Sequence, residues 1–226
     1  MKQFVISIFA LFMVLEASAQ QTIEHQMYDR GKGYVTYFFQ AENLQGSQFL
    51  KDNWTYGEAI AKNGVIFKNV RFKFDTYNNK FIFNLHDTSF EIGPEIVCVH
   101  LYPKREDTSK QLIFKNGYYI SAHLGGDKFF QVLAEGNISL LKLYQKDAEE
   151  FTEYGNATKF KRLRDSETFY LLEKGGRSNP IVLNRKNLET FLEPKWKQLE
   201  PFLKQNNISG KDEAGWASAI AYYNSL

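Results

Sequence analysis

From Gly57 onward, short runs of alternating apolar and polar residues are separated by turn signals, which predicts antiparallel strands joined by tight turns. Asn63-Gly64 divides Glu58 to Lys62 from Val65 to Lys68, and Asn-Gly suits a type I′ hairpin, whose two central residues take positive φ. Asn78-Asn79 serves in the same way. Before it Val70, Phe72 and Phe74 are spaced by two, and after it Phe81, Phe83 and Leu85. Each run therefore puts three apolar side chains on one face and sends Arg71, Lys73 and Asp75 to water.

The pattern continues through Phe90 to Ile92 and Ile96 to Tyr102. Asn116-Gly117 predicts a hairpin between Leu112 to Phe114 and Tyr118 to Ile120. Glu135-Gly136-Asn137 joins Phe129 to Ala134 with Ile138 to Tyr144, and a loop holding Gly175-Gly176 joins Phe169 to Leu172 with Ile181 to Leu183. Turns this short make an antiparallel meander, because parallel crossovers need a dozen or more residues. After Leu183 the apolar spacing lengthens to three or four, through Leu188, Phe191, Leu192, Trp196, Leu199, Phe202 and Leu203, the stripe of an amphipathic helix. Pro194 and Pro201 predict two helices here or a kinked one. Ser209, with Asp212 three residues later, opens a last helix over Lys211 to Asn224 that turns Trp216, Ile220 and Tyr223 inward.

The expected fold is α+β: a mainly antiparallel β meander over 20–183, as sandwich or half-barrel, and a C-terminal helical segment of two or three helices over 184–226. The tail either caps one face of the sheet or forms a unit of its own. Capping is favoured, since so short a segment holds too few apolar groups to be stable alone.

The start of the chain reads differently. Lys2, the apolar run Phe4 to Leu15 and the small residues Ala17-Ser18-Ala19 form a secretory signal peptide, 1–19, cleaved near Ala19-Gln20. The run falls short of the roughly 20 residues of a spanning helix. Later apolar runs are interrupted by charges, so no transmembrane segment is expected in the mature chain. Its expected place is periplasmic or secreted. The chain has one cysteine, Cys98, too few for an internal disulfide and far from any lipoprotein cleavage site. The net charge is +2 and survives loss of Lys2 and Glu16, so nucleic acid is not an expected partner. Twenty Phe and thirteen Tyr suit a pleated sheet.

Candidate chemistry is thin. Cys98 and His100 share one face of a strand, roughly 7 Å apart, which invites a nucleophile or metal reading, yet no C-x-x-C, H-x-x-x-H or H-E-x-x-H occurs to complete either set. A buried thiol beside a half-buried histidine is the favoured reading. His25, His86 and His123 lack ligand spacing, and His86-Asp87 falls in a turn. Ser47 lacks the second glycine of a nucleophile elbow. Gly125-Gly126 and Gly175-Gly176 are too short to cradle phosphate. Asp75, Glu91 and Glu95 are carboxylates for a glycosidase pair only if the fold brings them together. The basic run Lys159 to Arg164 is preceded by Asp147, Glu149, Glu150 and Glu153, which are placed to neutralise it. No cofactor and no metal are expected, and catalytic or ligand-binding residues are not singled out.

Trp54-x-x-Gly57, Gly64, Asn69-Val70, Asp75-x-Tyr77-Asn78, Gly136-x-Ile138-x-Leu140-Leu141-Lys142 and Tyr222-Tyr223-Asn224 span most of the mature chain. In these residues the sequence resembles a family of secreted Bacteroidota proteins without assigned activity. The resemblance implies a shared fold and a bacterial envelope setting and carries no catalytic residue with it. The expectation is a non-catalytic envelope protein that binds a partner protein or an apolar ligand. The alternatives are a hydrolase acting on envelope polymers and a periplasmic lipid carrier with a half-barrel cavity beneath Phe72, Phe74, Phe81 and Phe83.

Overall fold

The computed structural model describes residues 35–38, 43–85, 88–105, 107–121, 123–152, 159–209 and 212–226. The segment 1–19 expected to be a signal peptide, His25, His86-Asp87 and Glu153 lie outside them. The protein is α+β, a mainly antiparallel sheet followed by C-terminal helices, and its chain divides into two compact units.

The first unit holds Lys51–Phe74 and Lys80–Gln111 together with β1 (Val35–Tyr37). Its strands are β3 (Thr55–Ala61), β4 (Ile66–Asp75), β5 (Lys80–Leu85), β6 (Thr88–Ile92) and β7 (Ile96–Leu101), in the order β1-β6-β5-β4-β3-β7. The meander runs from β3 to β6 and is interrupted where β7 returns to pair with the free side of β3. Phe72, Phe74, Phe81 and Phe83 are buried. The Phe81 ring stacks on Phe74 at 4.4 Å and meets Phe72 edge-on at 6.2 Å, and Phe83 stacks on its cross-strand partner Phe90.

One turn and one strand of this unit depart from the simple pattern. At Asn63-Gly64 only Gly64 has positive φ, and its N–H donates to the Ala61 carbonyl at 2.9 Å. The loop is thus a three-residue turn closed by a left-handed glycine, not type I′. The runs on either side of Asn69 are one strand, because Asn69 takes φ +58 and forms a bulge: Gly57 faces Val70 while Ala59 faces Phe67. The extra residue keeps Phe67 and Val70 both buried although they are three apart.

The second unit gathers Glu42–Leu50, Asp75–Asn79 and Leu112–Leu226. Asp75 is buried here, not at the surface. Its Oδ1 accepts the N–H groups of Tyr77 and Asn78, and its Oδ2 accepts the side-chain amides of Gln48 and Asn78, so it ends β4 by capping the following turn. The strands of this unit are β2 (Leu44–Gln45), β8 (Leu112–Lys115), β9 (Phe130–Ala134), β10 (Ile138–Thr152), β11 (Lys159–Glu173) and β12 (Ser178–Ile181). β8 to β12 follow one another antiparallel, and β2 lies parallel to β11. The expected hairpin at Asn116-Gly117 is absent: β8 pairs with β9, and Tyr118 and Ile120 leave the ladder to pack beside Phe130, Leu141, Leu143 and Tyr170.

The helices α1 (Arg185–Phe191), α2 (Trp196–Gln205) and α3 (Glu213–Ser225) pack against β9, β10 and β11. Trp216, Ala219 and Ile220 are fully buried there with Leu140 and Leu171. The chain breaks at Pro194, in a 3-10 turn, while Pro201 sits inside α2 on its exposed side. Asp212, rather than Ser209, caps α3 by accepting from the Gly215 N–H at 2.9 Å. Because helices cover one face of β10 and the Phe130 group the other, Ile138 to Leu143 are buried without alternation.

Beyond Tyr144, β10 and β11 continue as a two-stranded ribbon. Asp147 faces Arg164, Glu149 faces Arg162, Glu150 faces Lys161 and Lys146 faces Asp165. Arg164 reaches Glu149 at 2.8 Å and Lys159 reaches Glu150 at 3.7 Å. The basic run is therefore matched by acids on the facing strand, each such pair adding roughly 0.2–1 kcal/mol.

Candidate functional site

On the first unit, β3 and β7 place Glu58 opposite His100, and the Nδ1 of His100 lies 3.0 Å from Glu58 Oε1. Tyr102 adds a hydrogen bond to the same carboxylate. Burial, then the charge of Glu58 and that bond, push its phenol above the ordinary tyrosine range. Gly57 makes this approach possible, since a Cβ there would stand 2.2 Å from the His100 carbonyl oxygen. Cys98 faces Ile60, two residues from His100, and is buried. A sequence-distant carboxylate thus completes a thiol, imidazole and carboxylate on one sheet face. Cys98 as a residue is only 6 % exposed, however, which leaves the thiol little access to a substrate.

Other singled-out residues have local duties. Ser47 Oγ accepts the Phe49 N–H at 3.1 Å, Glu95 pairs with Lys62 at 3.9 Å, and the Gly126 carbonyl accepts the Gly117 N–H at 2.7 Å. His123 is exposed. Among the described residues no group of three or more His, Cys, Asp and Glu could hold a metal ion, and no helix is long and apolar enough to cross a membrane.

The second unit contains a cleft of about 1010 Å³ that the sequence did not announce. Its walls are the segment Gly117 to Tyr119, the β9–β10 turn with Glu135, Gly136 and Asn137, the β11–β12 turn with Glu173 to Gly176, and Asn224 near the end of α3. In a meander, turns two strands apart fall at the same end, and here the Lys174 N–H donates to the Asn137 carbonyl at 2.9 Å, tying them together. Gly175 permits the second turn with φ +72.

The ionic groups of the cleft are largely matched. Glu135 Oε2 accepts from Lys115 Nζ at 2.6 Å and Oε1 from the Tyr118 hydroxyl at 3.1 Å. The Lys115 bond chiefly, outweighing partial burial, holds the Glu135 carboxyl below the usual carboxylate range. Glu173 lies 3.6 Å from Arg177 Nε. Asn224 clamps the backbone of Ile138 with both atoms of its amide, at 2.9 and 2.8 Å.

Several side chains of the cleft keep spare capacity. Tyr119 is 70 % exposed, and among the described residues its ring meets no other ring or cation. Lys174 makes no side-chain ion pair among them. Ser139, 6 % exposed on the cleft wall, makes no side-chain hydrogen bond among them. The signal in sequence was slight: Ser139 and Lys142 are the polar residues inside an otherwise apolar run. Comparison with protein-family models, with curated proteins and with solved structures finds no match.

Proposed function

We propose that this chain is a non-catalytic protein of the cell envelope that holds a ligand in the cleft between the β9–β10 and β11–β12 turns. The observation that carries this reading is the pairing of a braced wall with spare recognition groups. Ion pairs and the Asn224 clamp hold the wall, and Tyr119, Ser139 and Lys174 remain for a ligand. Preorganised concave sites of this kind bind without reorganisation cost. The signal peptide and the resemblance of its turn and core residues support the envelope setting. The lining shifts the ligand from apolar to polar, because an apolar molecule would strand Ser139 and Lys174 without water. The phenylalanines of the first unit, packed ring on ring, offer less to the lipid-carrier reading.

The test is native mass spectrometry of the mature protein isolated from its host, beside Tyr119→Ala and Lys174→Gln. A small molecule retained by the wild type and lost from both variants is expected. Retention of the same molecule by both variants, or none by any, overturns the reading.

A second reading, a hydrolase of envelope polymers, draws on one fact: Glu135 and Glu173 line the same cleft. Against it, a general acid needs a raised pKa, and Lys115 acts on Glu135 in the opposite sense. Release of fragments from purified cell-wall polymer that stops in Glu173→Gln would establish it.

A further inference from the structure

We propose that the ligand of this cleft is an acidic oligosaccharide, its carboxylate received by Lys174 and one sugar face laid on Tyr119. The proposal rests on the reading of the cleft as a binding seat and adds the class of ligand.

Charge bookkeeping gives the sign. Glu135 is matched by Lys115 and Glu173 by Arg177. Lys174, between Glu173 and Gly175 on the wall, is left as the unmatched charge, so the group it receives is an anion. A carboxylate on a flexible ligand meets an ammonium well, since the lysine head is a point charge with three donors and no fixed fork.

Hydroxyl chemistry gives the class. Ser139 lines the cleft, and its hydroxyl makes no side-chain hydrogen bond among the described residues. The Asn137 amide on the neighbouring turn also makes no side-chain hydrogen bond among the described residues. A hydroxyl and an amide, each able to donate and accept, match the mixed character of sugar hydroxyls. Tyr119 offers a flat ring to water, the surface on which the C–H face of a sugar packs. A peptide would instead need pockets for side chains or an open strand edge, whereas these walls are turns.

Size gives the length. A cleft of about 1010 Å³ exceeds one sugar ring and so has room for several linked units.

The experiment is titration calorimetry of the mature protein with a galacturonic acid tetramer and a neutral glucose tetramer, at low and raised salt. The acidic tetramer is expected to bind at least about tenfold more tightly, and raised salt to narrow the gap. Lys174→Gln should abolish the preference, while Tyr119→Ala should weaken both sugars about tenfold. Both residues are on the rim, so unchanged thermal unfolding will show that the variants fold. Equal binding of the two tetramers, or a preference that survives Lys174→Gln, overturns the assignment of charge. No binding of either tetramer overturns the saccharide class. If Tyr119→Ala and Lys174→Gln still release a co-purifying molecule of another class, the binding seat stands without it.

Discussion

The side chain of Asn224 pairs with the backbone of Ile138 as a neighbouring strand would, Oδ1 accepting from its N–H at 2.9 Å and Nδ2 donating to its carbonyl at 2.8 Å. The last turn of α3 is thereby fastened to the first residue of β10. Gly136 leaves the room, for a Cβ there would lie 2.5 Å from Asn224 Nδ2. Asn224→Ala should cost about 2 kcal/mol in urea unfolding, from two hydrogen bonds and the half-buried groups they leave. Gly136→Ala should cost a similar amount, by displacing the amide. In the Asn224→Ala background it should cost almost nothing, so the double-mutant cycle reads the contact directly.

Lys142 is a charge inside the second unit's packing, shared by Glu167 on β11 and Glu213 at the start of α3, each at 2.9 Å. Burial lowers its pKa, and the two carboxylates more than reverse that, so the ammonium titrates above the ordinary lysine range. A folded value above the unfolded one gives stability that is complete below about pH 10.4 and lost as pH rises toward the folded value. Lys142→Met should cost about 1–2 kcal/mol at neutral pH, since both partners can return to water. It should also flatten the alkaline limb of the stability curve measured by thermal unfolding.

Asn69 carries the β4 bulge in a left-handed conformation. Asn69→Gly should leave stability unchanged within about 0.5 kcal/mol or raise it, and Asn69→Val should cost about 1–2 kcal/mol, because branching at Cβ is incompatible with that φ. Denaturant midpoints of the two variants check both signs.

Glu135 gives a prediction at the acid end. Its folded pKa is depressed, chiefly by Lys115, so its contribution is present above about pH 4.3 and lost as pH falls through the folded value. Lys115→Met should remove this acid-limb dependence. The loss at neutral pH should stay below about 1 kcal/mol, the carboxylate being half exposed. Thermal unfolding across the acid range measures it.

Periodicity made the strands and helices legible wherever one face was buried: Val70, Phe72 and Phe74, or Leu188, Leu192 and Leu199, lie where their spacing put them. It failed where a polar residue was spent on the chain itself. Asp75 alternates like a solvent-facing residue, yet four donors of its own turn and of Gln48 occupy it. The charged halves of β10 and β11 showed no apolar alternation, because their pairing is ionic. The cleft was hidden for a further reason. Its residues belong to turns that are remote in sequence, and Glu135, Asn137 and Lys174 acquire a joint meaning only once the meander sets two turns side by side.

The short pairing of β2 with β11 sets a timetable. Arg162 Nε donates to Gln45 across 117 residues of chain, and the turn holding Asp75 enters the same unit. A chain made from its N-terminus presents Gln45 long before Arg162 exists. Closing so long a loop costs only slowly growing entropy, but it places these contacts among the late, non-local steps that slow folding. Asn224 comes later still, so the second unit completes only once α3 has been made. Gln48 finds its partners early, in Asp75 and Thr76, whereas the edge of β2 stays open to water until β11 is made.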